Sequence, residues 1–211
     1  SESNLARTHY TVRLEDDQQD VNVKELEQNL IEAARTWEDN FERILNSTFG
    51  EARSTRLNKR YSQAFPRAYK EDVLPSVAIS DINQLESLDD DHKLGMVLYR
   101  AQEEKDDSKY LRLKLFHKDE PIHLSDVLPM LENFGLRVIG ESPYPVKTAD
   151  GHVFWILDFH MIHTGGALDL ETSRELFQDA FAKVWKGELE DDGFNRLVLG
   201  AGMTGRQVTI L

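Results

Sequence analysis

Leu124-Ser125-Asp126-Val127-Leu128-Pro129-Met130-Leu131-Glu132-Asn133-Phe134-Gly135-Leu136-Arg137-Val138-Ile139 holds a helix, a stop and the opening of a strand in one unbroken run. Ser125 reads as the helix cap, Pro129 is tolerated near the first turn, and Gly135 supplies the left-handed stop. The flanks complete a pattern. Upstream, Leu94-Gly95-Met96-Val97-Leu98-Tyr99 and Tyr110-Leu111-Arg112-Leu113-Lys114-Leu115-Phe116 are strand-like runs joined by a charged loop, which makes them a candidate hairpin. Downstream, Val153-Phe154-Trp155-Ile156-Leu157-Asp158-Phe159 is a further strand. Thr172-x-x-Glu175 then has the form of a capping box. It opens a helix striped by Leu176, Phe177, Ala180, Phe181, Val184 and Trp185 and stopped by Gly187. The order from about 109 to 187 is βαββα, which predicts an α+β domain with an antiparallel sheet and its helices on one face.

The chain before this domain reads differently. His9-Tyr10-Thr11-Val12-Arg13-Leu14 alternates as a half-buried strand. Leu26, Leu30, Ala33, Trp37, Phe41 and Ile44/Leu45 then lay one apolar stripe along a long helix, with Gly50 as its stop. One strand and one helix cannot enclose a core, so residues 1–50 are expected to be the remnant of a preceding βα domain. Residues 51–91 read as a helical connector. In it Leu57, Tyr61 and Phe65 share a face, Pro66 breaks the pattern, and Asp81-Ile82-Asn83-Gln84 has the reciprocal-cap form. Its aromatic residues are expected to be packing anchors. Residues 92–190 form the βαββα domain, and 191–211 begin a following helical segment.

Composition narrows the function. The 211 residues are 40% hydrophobic and 9% aromatic, as in a globular protein. No apolar run approaches the roughly 20 residues of a membrane span. Zero cysteines exclude disulfides, thiolate catalysis and thiolate-bound zinc, which suits a cytoplasmic protein. A net charge of −13 would repel a phosphate backbone, so neither nucleic acid nor membrane is an expected partner. The basic run Arg53-Arg56-Lys59-Arg60, continuing to Arg67 and Lys70, reads as a solvated helix face. The acidic clusters at 16–17, 89–91, 106–107 and 188–192 read as loops, without the alternation of a calcium loop. Both ends look cut, which points to a segment of something longer.

The motifs with chemical meaning give little. Gly200-Ala201-Gly202-Met203-Thr204-Gly205 after Leu197-Val198-Leu199 spells a dinucleotide fingerprint. A working fingerprint needs a preceding strand, a following helix, a second strand and an acidic residue about 20 positions on; six residues follow Gly205 and none is acidic. The stretch therefore reads as small residues opening a helix at a domain edge. His152, His160 and His163 invite a metal, but positions 160 and 163 fall on opposite strand faces. His152 and His160 would stand about 26 Å apart at roughly 3.3 Å per residue. No metal is expected. His123 with Ser125-Asp126 is the nearest approach to a nucleophile site, and capping explains Ser125 as well. Asp158, inside an apolar strand, either faces solvent or pairs with a cation such as Arg112.

Two resemblances rest on these residues. The run from Asp119-Glu120-Pro121-Ile122-His123-Leu124 to Gly135-Leu136-Arg137-Val138, in its βαββα setting, resembles an ACT domain, the ferredoxin-like regulatory fold that often binds amino acids. More specifically, LSDVLPMLENFGLRVIGESPYPV, DDGFNRLVLGAGM, ARTHYTVRL, the Trp37-Glu38-Asp39 patch and YSQAFPRAY are similar to the amino-terminal region of the large bacterial NAD-specific glutamate dehydrogenases. The resemblance covers nearly the whole chain. It implies a non-catalytic regulatory and assembly segment of an enzyme that oxidises L-glutamate to 2-oxoglutarate and ammonium with NAD+. NAD would serve the parent, and no cofactor is expected in this segment. The implied partners are the remaining domains of the parent, further copies of it in a homo-oligomer, and an amino-acid effector. The family's catalytic lysine beside a Gly-Gly-x-Lys pattern has no counterpart here, so no catalytic residue carries over. The ACT first loop places candidate ligand contacts at Asp119, Pro121, Ile122 and His123. Ligand-binding ACT domains usually have glycine where this chain has Ile122. The alternatives are a stand-alone amino-acid-sensing ACT-type module, or a small NAD-binding protein using Gly200–Gly205.

Overall fold

The computed structural model describes residues 35–101 and 109–210, and the compact unit that holds nearly all of them runs from Trp37 onward. The expected strand at 9–14 and the first turns of the long helix lie outside the described residues. That helix is seen as α1 (Trp37–Thr48), followed by α2 (Glu51–Tyr61), α3 (Arg67–Asp72) and α4 (Pro75–Glu86). Then come β1 (Leu94–Tyr99), β2 (Tyr110–Lys118), α5 (Leu124–Asn133), β3 (Leu136–Lys147), β4 (Val153–His163) and α6 (Leu170–Trp185). A 3-10 turn (Gly193–Asn195), α7 (Arg196–Ala201) and α8 (Gly205–Thr209) close the described chain.

The four strands form one antiparallel sheet in the order β1-β2-β4-β3. Register pairs Leu98 with Leu113, Lys114 with Asp158, and Tyr144 with Ile156. The βαββα unit fills three positions of a ferredoxin-like sheet. The fourth, beside the first strand of that unit, is taken by β1 arriving from upstream through the expected hairpin. The helices of the unit lie on one face. Here Leu111, Leu113, Leu115, Leu157, Phe159 and Met161 meet Val127, Leu131 and Phe134 of α5 and its stop, and Phe177, Ala180 and Phe181 of α6. Phe134 packs edge-on against Phe177 at 5.1 Å. Each large side chain buried here contributes about 1.5–3 kcal/mol of transfer free energy.

The opposite face of the sheet is covered too, which the sequence pattern does not announce. Phe116, Tyr144, Val146, Phe154 and Ile156 point into a second core built by the connector helices, with Phe41, Leu45, Leu57, Tyr61, Phe65, Tyr69, Ile82 and Leu85. The aromatics are packing anchors, as expected: Phe65 stacks on Tyr69 at 4.5 Å and Trp37 on Phe41 at 5.1 Å. Trp37 Nε1 donates to the Val73 carbonyl at 2.8 Å. These contacts draw α1 into the connector, so the compact unit begins at Trp37, upstream of the boundary expected at residue 50.

Several helix starts differ from expectation. Leu124 opens α5 with His123 at the cap position, and the Ser125 hydroxyl donates to Asp126 Oδ1 at 3.2 Å, so Ser125 is not the cap. Asp169 caps α6 by accepting from the Glu171 amide, three residues before the expected box at Thr172. Pro75 sets the first turn of α4, which leaves Asp81 in mid-helix. The stops hold: Gly135 and Gly187 have φ of 78° and 71°.

Candidate functional site

Two charges meet in the second core. Lys114 sits between Leu113 and Leu115 on β2, on the strand face opposite theirs, and Asp81 points inward from α4 among Ala78, Ile79, Ile82 and Leu85. Lys114 Nζ donates to Asp81 Oδ2 at 2.6 Å, with both side chains about 95% buried (5% and 6% exposed). The Tyr69 hydroxyl donates to the same oxygen at 2.6 Å. A buried charge needs a partner and further hydrogen bonds to be tolerated; Asp81 has both. The pair ties the connector to the middle of the sheet.

The polar array continues along that face. Asp158, paired in register with Lys114, accepts from the Tyr99 hydroxyl at 2.9 and 3.1 Å. Burial pushes the Asp158 carboxyl above the usual carboxylate range, against the opposing pull of Lys114, Tyr99 and Arg112. The direct partner of Asp158 is thus a tyrosine, with Arg112 acting through its field. The Tyr99 and Tyr69 phenols are pushed up chiefly by burial and then by the adjoining carboxylates. Tyr144, also lifted first by burial, is pushed up to about 12, and its hydroxyl donates to Asp72 at 2.8 Å.

A second set of contacts fastens the connector to the β3–β4 turn. Arg60 pairs with Glu86 and, through Nε at 3.0 Å, with Asp150. Tyr61 donates to Glu86 at 2.8 Å. The Lys147 and Ala149 amides donate to the carbonyls of Ala64 and Arg60, both at 3.1 Å. Part of the basic run therefore faces this seam rather than solvent alone. Together these contacts make a polar seam along one sheet face, from Asp72 and Tyr144 through Asp81 and Lys114 to Asp158 and Tyr99.

The sheet edges are less open than a small ferredoxin-like unit suggests. On β1, the outward Leu98 amide donates to Gln178 Oε1 at 3.2 Å and its carbonyl accepts from Arg174 Nε at 3.0 Å. On β3, Lys147 turns its amide outward to Ala64, and Pro143 and Pro145, of the same parity, have no N–H to offer.

The first-loop residues are placed on a tight turn. Asp119 adopts φ 72° and its amide donates to the Val153 carbonyl at 2.8 Å. Asp119, Pro121 and His123 are exposed, whereas Ile122 is buried in the main core. The glycine fingerprint has no strand before it, because Leu197–Leu199 lie in α7. Gly202 ends that helix at φ 64°, and Thr204 and Gln207 form a capping box that starts α8. His160 and His163 face opposite sides of β4, and His163 Nδ1 lies 3.0 Å from the Gly166 carbonyl. Among the described residues no group of three or more His, Asp or Glu could hold a metal ion, and no helix is long and apolar enough to cross a membrane.

Sequence comparison agrees with this architecture. Models for the glutamate dehydrogenase ACT2 domain, helical motif 2, ACT3 domain and helical motif 3 match residues 1–38, 44–88, 93–173 and 189–211. An NAD-specific glutamate dehydrogenase of Halomonas elongata is 41% identical over 213 residues, and that of Pseudomonas aeruginosa 39% over 215. The Mycobacterium tuberculosis protein is 32% identical over 231. All of this chain is covered in each case, but the chain spans only 13–14% of the length of these relatives. The chain is thus an ACT-domain and helical-motif segment of the NAD-specific glutamate dehydrogenase family.

Proposed function

We propose that this chain is the non-catalytic regulatory and assembly part of a cytoplasmic NAD-specific glutamate dehydrogenase. The reaction, L-glutamate, NAD+ and water to 2-oxoglutarate, ammonium and NADH, takes place on residues outside it. NAD serves that catalytic part. The partners of the segment are the other domains of the same polypeptide and, in the homo-oligomer, further copies of it. The observation that carries the reading is the seam. A buried ion pair between α4 and β2, flanked by hydrogen-bonded carboxylates, makes the ACT-like sheet and helical motif 2 shift together or not at all. Coupling between distant parts needs such an element with discrete arrangements.

The test uses the full-length enzyme. Lys114→Met should alter glutamate turnover or assembly, and Asp81→Leu added to it should restore both towards wild type, because the second change removes the stranded carboxylate. Turnover and assembly that ignore both variants would refute the coupling role. A second reading, an amino-acid effector held at Asp119, Pro121, Ile122 and His123, is favoured by the strained backbone of Asp119 and the exposure of three of the four.

A further inference from the structure

Asn195 is fully buried, at 0% exposed, yet only half satisfied. Its Nδ2 donates to the Glu190 carbonyl at 2.9 Å, and its backbone amide donates to the Asp192 carbonyl at 3.2 Å. Its Oδ1, equally buried, accepts from no group among the described residues. Turning the side-chain amide over is no remedy, because the oxygen would then face the Glu190 carbonyl. Buried polar atoms are nearly always hydrogen-bonded, so an acceptor held in this way calls for a donor.

Asn195 lies at the base of a cleft of about 430 Å³ whose rim carries the carboxylates of Glu188, Glu190 and Asp192. No described lysine, arginine or histidine lines this cleft. Arg196 lines a neighbouring one instead, and its Nε donates to the Gly193 carbonyl at 2.6 Å. Among the described residues Glu188 and Glu190 enter no ion pair, and Asp192 accepts only from the Phe194 amide, at 2.8 Å. One wall is apolar, with the Phe194 ring 55% exposed above buried Leu189 and Val208. An orphan oxygen and three uncompensated carboxylates, two independent observations, thus meet in one place.

These features define the occupant as a compact cation with N–H donors on an apolar stem. An ammonium suits the base better than a guanidinium, whose planar fork needs paired acceptors where Asn195 offers one oxygen. A metal ion does not fit, since no group of three or more His, Asp or Glu among the described residues could hold one. Three carboxylates exceed one positive charge, which argues for a second ammonium. We propose that this cleft binds a short aliphatic diamine or polyamine. One ammonium donates to Asn195 Oδ1, the methylene stem lies along Phe194, and the next ammonium is held by the rim carboxylates. The proposal goes beyond the regulatory reading, and every residue it uses belongs to this chain.

The test is isothermal titration of the full-length polypeptide with putrescine, n-butylamine, n-butylguanidine and Mg2+ at one ionic strength. Putrescine should bind about tenfold more tightly than either single-charge compound, and Glu188→Gln with Glu190→Gln, both exposed, should weaken it by about tenfold. Amide exchange over 188–198 should slow several-fold on adding putrescine, with Val153–His163 unchanged. Asn195→Leu removes the acceptor at the base and should abolish binding. That variant also loses the bond to the Glu190 carbonyl, so the glutamine pair carries the test where it fails to fold. Absence of binding heat, affinity unchanged in the glutamine pair, equal affinity for n-butylamine or n-butylguanidine, displacement by equimolar Mg2+, or exchange unaltered over 188–198 overturns the proposal.

Discussion

Replacing Lys114 with methionine removes one half of a buried pair and keeps the volume of the other residue's neighbour. Asp81, with its side chain 6% exposed, would retain only the Tyr69 hydroxyl against its charge. Removing one partner of such a pair costs about 3–5 kcal/mol. At about 2–4 °C per kcal/mol for a domain of this size, the melting temperature should fall by roughly 6–20 °C. Asp158 also loses a nearby cation, so the deficit should widen as pH rises. The double variant Asp81→Leu with Lys114→Met strands no charge. Hydrophobic replacement of a buried pair gains up to about 4 kcal/mol, while the orphaned Tyr69 hydroxyl costs about 1–3 kcal/mol. These nearly cancel, so the double variant should unfold close to wild type. Urea denaturation of the four proteins in the cycle gives the coupling directly. A single variant losing less than about 1 kcal/mol, or a double variant losing the sum of its singles, would refute the argument.

Other outcomes follow from the same geometry. Asp158 is a carboxyl with a raised pKa in the fold. Its contribution is most favourable when protonated, below the ordinary value of 3.8, and is lost as pH rises through the raised one. Asp158→Asn keeps an acceptor for Tyr99 and should therefore raise the melting temperature at neutral pH, with the gain vanishing in acid; an equal effect at all pH values would contradict this. Gly135→Ala forces a side chain onto φ 78° with Thr164 Oγ1 3.3 Å from the new Cβ. It should cost about 1–2 kcal/mol by denaturation. Ile122→Gly opens the first loop at the expense of a core side chain, so it should lower the melting temperature. If the loop holds an amino-acid effector, wild type should show an amino-acid-dependent thermal shift and the variant a larger one, because glycine lets the backbone approach the ligand more closely. Pro143→Thr with Pro145→Thr restores two outward amides on β3 and should raise self-association in sedimentation; unchanged association would show that the prolines do not guard this edge.

Much of the sheet domain was legible because its signals are local. Gly135 and Gly187 can be read as stops from their position alone, and the period-2 runs at β2 and β4 needed no tertiary knowledge. The helix starts were harder. Asp169, Pro75 and His123 compete with better-looking boxes at Thr172, Asp81 and Ser125, and the choice depends on which residue the packing buries. The seam is the feature least legible in the sequence. Its trace was present, a lysine between Leu113 and Leu115 and an aspartate among Ala78, Ile79 and Ile82, yet either one alone reads as an ordinary polar face. Only the pairing of two distant elements turns them into a site. The two-sided burial of the sheet has the same origin: Phe116, Phe154 and Ile156 alternate with inward residues of the other core, and sequence does not say which helices will cover them.

The most direct test of the account is glutamate-dependent NADH formation by the purified 211-residue chain beside the full-length enzyme at equal molarity. Turnover is expected from the full-length enzyme and none from the chain alone. Steady NADH production by the chain itself would contradict it.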